Sequence, residues 1–181
     1  ASFVNGGKKI VPSLIDRIQD RRGKNIFLEN FAACTNCDEP YIEENPMPKL
    51  VNSSESIFDE AKSYQMVSIL KGAVDRGTGR KTKIDGIEIA GKTGTTNNNT
   101  DAWFIGFTSD LIIGVYAGFD KPKSLGKRET GSSVAVPIFR DFVKNYYQEK
   151  PILPFTIPNG IELIKINYDT GEIASEFNSS E

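Results

Sequence analysis

The sequence predicts an α+β fold, an antiparallel β-sheet flanked by helices and followed by a small C-terminal hairpin. Three observations predict it. Apolar runs at 84–95, 102–108 and 111–119 follow one another across short polar turns, and parallel strands would need a long crossover between them, so the pairing is antiparallel. Residues at helical spacing stand on both sides of these runs: Met66, Val67, Leu70, Ala73 and Val74 before them, and Ile138, Phe139, Phe142, Val143, Tyr146 and Tyr147 after them. Strands and helices do not alternate as βαβ units would require.

Taken in order, residues 10–28 read as a hairpin. Ile10, Val11, Leu14, Ile15 and Ile18 precede the polar stretch 19–24, where Gly23 makes the turn, and 25–28 returns. Residues 30–56 carry Pro40, Pro46, Pro48 and clustered acids, and read as an irregular insertion over one end of the domain. A helix starts at the N-cap Asp59 and stops at Gly77 in the C′ position. The basic run Arg76, Arg80, Lys81 and Lys83 beyond it reads as a solvated face that suits the helix dipole. The first strand, 84–95, is broken at Asp85-Gly86; the next two are almost continuously apolar, which predicts burial on both faces. The last helix spans 134–148, with Ser132 or Ser133 as its cap and Pro137 in the first turn. After Pro151 and Pro154, 161–166 forms the first arm of a hairpin that turns at 168–171.

Composition narrows the chemistry. Of 181 residues, 22 are Lys or Arg and 24 are Asp or Glu, a net charge of −2 that gives no footprint for nucleic acid or an anionic membrane. No apolar run is long enough to span a bilayer. The chain has no histidine, which removes Ser-His-Asp and Cys-His catalysis and takes a common ligand from any zinc site. No cofactor is expected. The two cysteines, Cys34 and Cys37, admit a redox pair, half a zinc site, or a local disulfide or idle thiols in a loop. The first lacks a following helix start and the second lacks a further ligand pair.

One motif carries chemistry, and it has two readings. Gly86-Ile87-Glu88-Ile89-Ala90-Gly91-Lys92-Thr93 matches the phosphate-loop pattern G-x-x-x-x-G-K-[ST]. That loop requires a helix starting at the lysine, so that its amides face the phosphates. Here Ile87 to Ala90 read as strand, and Thr93 leads into Gly94, threonines and asparagines. The other reading takes Lys92-Thr93-Gly94-Thr95 as the K-T-G element of active-site serine acyltransferases. An edge strand gives such a site backbone donors for the oxyanion and can pair with an extended peptide. Gly94 lets that peptide approach without a Cβ in its way. Strict alternation puts Thr93 and Thr95 on one face and Lys92 on the other, so the lysine arm has to curl round the edge.

The surroundings strengthen the second reading. Val74-Asp75-Arg76-Gly77-Thr78-Gly79, Ile89-Ala90-Gly91-Lys92-Thr93-Gly94-Thr95-Thr96 and Asp101-Ala102-Trp103-Phe104-Ile105-Gly106-Phe107 resemble the class A, bifunctional penicillin-binding proteins. So do Ala1-Ser2-Phe3-Val4-Asn5-Gly6-Gly7 and Gly131-Ser132-Ser133-Val134-Ala135-Val136-Pro137-Ile138-Phe139. The resemblance covers most of 1–30 and 57–175 and is thin across 31–56. It implies the penicillin-binding transpeptidase and serine β-lactamase-like fold. Residues 1–150 are then the C-terminal portion of that domain, with the insertion at about 30–56, and 151–181 are a Pro-flanked hairpin extension.

The resemblance also implies D,D-transpeptidation on the periplasmic side of the bacterial inner membrane. A serine attacks the terminal D-Ala-D-Ala of a peptidoglycan stem peptide, and β-lactams occupy the same site. Lys92 would support the proton network around the nucleophile. Thr93 and Thr95 would bind the substrate or β-lactam carboxylate, with Gly94 and Thr96 as further substrate-binding positions, and the Thr95 amide would be one of two oxyanion donors. Lys92 and Thr95 are thus the catalytic candidates.

The chain departs from the family's pattern in two places. S-x-N is absent, and S-x-x-K occurs only as Ser68-Ile69-Leu70-Lys71, inside a predicted helix, and Ser124-Leu125-Gly126-Lys127, inside a loop. The nucleophile is expected upstream of Ala1, together with any membrane anchor, and the isolated segment is expected to be inactive. A catalytically inert module of the same fold and a phosphate-loop protein are the alternatives.

Overall fold

The core is built on one antiparallel sheet. In the computed structural model, which describes residues 1–29, 54–167 and 169–173 together with the backbone of 32–35 and 49–52, it comprises β5 (Ala90–Thr95), β6 (Asp101–Phe107) and β7 (Ile112–Gly118), in that spatial order. The register pairs Thr93 with Phe104 and Phe104 with Val115, and pairs Gly94 with Trp103 and Trp103 with Tyr116. Two small antiparallel pairs precede it. One is β1 (Arg17–Gln19) with β2 (Asn25–Leu28), and the other is β3 (Ala32–Thr35) with β4 (Lys49–Asn52). The hairpin expected at 10–28 is present with a shorter first arm. The stretch 30–56 holds a strand pair where an irregular insertion was expected. Cys37 and the side chain of Cys34 lie outside the described residues.

Helix α1 (Glu60–Asp75) starts as its sequence dictates, with the Asp59 side chain accepting from the Lys62 N–H at 3.1 Å. Gly77 follows the C-cap Arg76 but does not take the left-handed conformation that usually recruits glycine there. Close approach requires it instead: a Cβ would lie 2.8 Å from the Ala73 carbonyl oxygen.

The first long strand is shorter than expected. Gly86 has φ +80°, Ile84 and Ile87 form an isolated bridge, and β5 begins only at Ala90. Helix α2 (Val136–Tyr146) is likewise shortened at its start by a π-helical turn, Gly131–Ala135. Thr130, not Ser132 or Ser133, sits at the cap, and Ser133 completes a reciprocal capping box by accepting from the Thr130 N–H at 2.8 Å.

Helix α2 covers one face of the sheet. Val136, Phe139 and Val143 pack with Phe104, Val74 and Ile89, and the rings of Phe104 and Phe139 meet edge to face at 4.8 Å. Gly106 makes that contact possible, since a Cβ there would lie 2.5 Å from the Phe104 ring and 2.8 Å from Phe139. A second cluster joins Val67 of α1 to Ala90, Phe107 and Phe155.

Burial on both faces of β6 and β7 is not found among the described residues. Trp103, Ile105, Ile112 and Tyr116 are exposed while Ala102 and Phe104 are fully buried. A continuous apolar run cannot by itself separate one-sided from two-sided burial. The stripe of α2 divides in the same way, with Phe139, Val143 and Tyr147 buried and Ile138 and Phe142 exposed. The C-terminal hairpin reduces to a turn closed by the bridge between Ile166 and Ile173.

Candidate active site on the β5 edge

Strand β5 has β6 as its one neighbour among the described strands. The Thr96 N–H donates to the Asp101 carbonyl at 3.1 Å, so position 96 faces β6. Backbone groups alternate along a strand, so the N–H and carbonyl of Thr93 and Thr95 point to the free edge. Lys92 fits this geometry: its side chain is on the opposite face from Thr93, and its Nζ reaches round to donate to the Thr93 carbonyl at 2.8 Å. The curl that alternation demanded of the lysine arm is therefore present, and it brings a cation to the edge where the Thr95 amide is free.

The hydroxyls of Thr93 and Thr95 lie on the face toward α2, and each has a fixed partner. Thr93 Oγ1 is 2.7 Å from Thr78 Oγ1. Thr95 Oγ1 accepts from the Gly131 N–H at 3.0 Å. A backbone N–H can only donate, so the Thr95 proton is directed elsewhere. Neither Thr78 nor Gly131 stands out by residue type as a site residue. The signal for Thr78 is a threonine between two glycines just past a helix end.

Thr96 has a different role. Its hydroxyl accepts from the Asp101 N–H at 2.8 Å and faces Thr100 Oγ1 at 2.7 Å and Asp101 Oδ2 at 3.1 Å. Tyr116 donates to the other Asp101 oxygen at 2.9 Å. The hydrogen bonds from Tyr116 and Thr100 hold the Asp101 carboxyl below its ordinary range and push the Tyr116 hydroxyl up. This cluster fixes the turn between β5 and β6, in which Asn98 and Asn99 take φ of 62° and 52°. Gly94 faces Trp103, with room for little more than a hydrogen: a Cβ would lie 3.3 Å from the Trp103 Cβ.

The edge therefore presents an amide, an ammonium and two oriented hydroxyls along one extended strand. No helix begins at Lys92, so the amide cradle of a phosphate loop is missing. Among the described residues no three His, Cys, Asp or Glu side chains gather as a metal site, and no helix is long and apolar enough to cross a membrane. A family profile described as the penicillin binding protein transpeptidase domain matches residues 1–144. The chain belongs to the penicillin-binding protein transpeptidase family.

Penicillin-binding protein 1A of Rickettsia conorii is 45% identical over 179 residues, which cover 96% of this chain and 22% of that protein. The protein of the same name in Pseudomonas aeruginosa is 32% identical, covering 96% of this chain and 25% of its own length. The chain thus spans about a fifth to a quarter of the length of these relatives. The crystal structure of penicillin-binding protein 1A from Haemophilus influenzae superposes with a TM-score of 0.74 at 28% identity, over 96% of this chain and 29% of that one. The D,D-transpeptidase domain of a peptidoglycan glycosyltransferase from Eggerthella lenta shares the fold at 22% identity, with a TM-score of 0.52, over 80% of this chain and 29% of that one.

Neither S-x-x-K look-alike has the surroundings of a nucleophile in this penicillin-binding fold. Lys71 is paired with Glu88 at 2.9 Å, and the hydrogen bond from that carboxylate raises its pKa, so it stays protonated and is a poor base for Ser68. Burial would raise the Glu88 carboxyl, but the hydrogen bonds from Lys71 and the Phe155 N–H bring it below its ordinary value. Ser124 lies in the loop after β7, where its Oγ accepts from the Gly126 N–H at 3.2 Å.

Proposed function

We propose that this chain supplies the K-T-G side of a serine-type peptidoglycan D,D-transpeptidase whose nucleophile lies outside these residues. The observation that supports it best is the free edge of β5, where the outward Thr95 amide and the curled Lys92 ammonium stand beside the Thr93 and Thr95 hydroxyls.

In this reading a stem peptide ending in D-Ala-D-Ala lies along β5 as an added strand. Gly94 lets its backbone come close, and Thr93 and Thr95 donate to its terminal carboxylate. The serine Oγ forms a bond to the penultimate D-Ala carbonyl carbon, and its proton passes into the network that includes Lys92. The carbonyl oxygen becomes an oxyanion that accepts from the Thr95 amide; one such donor contributes about 3 kcal/mol to the transition state. Collapse breaks the amide bond, terminal D-Ala leaves with the proton, and an amine of a neighbouring strand then takes the acyl group. A β-lactam ring opens on the same serine and stays attached. The reaction belongs on the periplasmic side of the inner membrane, with the anchor in the rest of the parent protein. Residues 1–150 form the C-terminal portion of the transpeptidase domain, and 151–181 an extension tied back through Phe155.

Labelling with a fluorescent penicillin tests this. A full-length protein containing this sequence is expected to be acylated at a serine outside residues 1–181, and the 181-residue chain alone is not. Acylation of the isolated chain at Ser68 or Ser124 overturns the assignment of roles.

A further inference from the structure

We propose that Thr78 is a positioning residue for this site: its hydroxyl donates to Thr93 Oγ1 and thereby aims the Thr93 proton at the anion bound on the β5 edge. The inference rests on the carboxylate-binding reading of Thr93 given above.

The Thr78 loop is built to a tight tolerance. A Cβ on Gly77 would lie 2.8 Å from the Ala73 carbonyl oxygen, and one on Gly79 would lie 3.2 Å from the same oxygen and from Val74 Cγ2. Both glycines let the loop lie directly on the end of α1, where the Gly79 N–H donates to the Ala73 carbonyl at 3.0 Å. On the far side the Gly79 carbonyl accepts from the N–H of fully buried Thr82 at 2.9 Å and from its hydroxyl at 2.6 Å. The backbone is thus fastened on both sides of Thr78, and the hydroxyl between them meets Thr93 Oγ1 at 2.7 Å.

The direction of that bond follows from proton count. Each hydroxyl has one proton, and an anion offers none. When Thr93 donates to a carboxylate, the proton between the two threonines has to come from Thr78. Accepting that bond polarises the Thr93 hydroxyl and makes it a better donor. Thr95 receives the same service from the Gly131 N–H, which cannot reverse. The Thr78 hydroxyl can be removed by substitution, so the effect is measurable.

The experiment uses the full-length protein and a β-lactam that carries its carboxylate, with acylation resolved into a binding constant and a chemical rate. Thr78→Val is expected to weaken binding about tenfold, the scale of one hydrogen bond to a charged group, with the chemical rate little changed. Thr78→Ser is expected to restore binding to within about twofold. The Thr78→Val effect is expected to disappear in a Thr93→Val background, and with the methyl ester of the same β-lactam. Equal impairment of Thr78→Val and Thr78→Ser would mark a structural role and overturn the proposal, as would a Thr78→Val effect that persists in Thr93→Val. Wild-type binding by Thr78→Val alongside impaired Thr93→Val overturns the proposal and leaves the carboxylate reading intact. Wild-type binding by Thr93→Val overturns the carboxylate reading itself, and the role of Thr78 with it.

Discussion

Gly131 donates its backbone N–H to Thr95 Oγ1 at 3.0 Å, tying the turn that opens α2 to the strand that carries the site. The contact is possible only for glycine, because a Cβ at this position would lie 2.3 Å from the Trp103 carbonyl oxygen and 2.8 Å from that of Gly94. The packing of α2 on the sheet and the orientation of a substrate-binding hydroxyl are therefore one structural feature. Thr78 does the same for Thr93 from the end of α1. Both helices that flank the sheet thus end or begin at a K-T-G threonine.

Gly131→Ala is expected to lower stability by about 1–3 kcal/mol through overpacking, since the blocking atoms are backbone and cannot rotate away. It is also expected to weaken β-lactam acylation in the full-length protein beyond what the lost stability explains, because the Thr95 hydroxyl loses its donor. Thermal denaturation and penicillin labelling below the melting temperature separate the two. A variant of native stability and native labelling would show that the turn is not packed against β5 as described.

Lys92→Ala is expected to slow acylation by about two to four orders of magnitude, the range for losing a positioned group in proton transfer. Its effect on stability is expected to be small, because the side chain is exposed and its one hydrogen bond goes to a carbonyl on the free edge. Near-native labelling of Lys92→Ala would favour an inert module of the same fold.

Phe139→Ala tests the core that holds the edge in place. Phe104 and Phe139 are both fully buried and meet edge to face, so the truncation is expected to cost about 3–5 kcal/mol. Phe142→Ala, one turn of stripe away but exposed, is expected to cost under about 1 kcal/mol. Chemical denaturation of the two variants checks the division of the α2 stripe, and equal losses would contradict it.

Much of this was legible in the residues. The 3.6-residue period of α1 and the cap at Asp59 located that helix, and the strand character of 87–90 with the polar turn after Thr96 put Lys92 on a strand. Other features depended on tertiary contact. Phe142 and Val143 are equally apolar, and only the sheet decides which is buried. Periodicity could not show that Gly86 turns the chain before β5, because an Asp-Gly step inside an apolar run can be a bulge or a reversal. The partners of Thr93 and Thr95 come from 15 and 36 residues away in sequence, and no local pattern encodes a separation of that kind.

The far end of the sheet offers a test by pH. Tyr147 is buried, and its hydroxyl meets Asp110 and, at 2.6 Å, Thr108 across the turn between β6 and β7. Burial, with the hydrogen bond to Asp110 adding to it, pushes the Tyr147 hydroxyl from 10.0 up to about 12. The folded state therefore holds this proton more tightly than the unfolded chain does. The stability it contributes is complete below about pH 10 and is lost as pH rises toward about 12. Tyr147→Phe is expected to lower stability at neutral pH by about 1–3 kcal/mol, because Asp110 and Thr108 lose their shared partner. It is also expected to flatten the alkaline decline relative to the unsubstituted chain. Denaturation at a series of pH values, with phenolate absorbance followed in parallel, checks both. An alkaline decline of equal steepness in the two proteins would mean that Tyr147 titrates like a free tyrosine and is not locked over the turn.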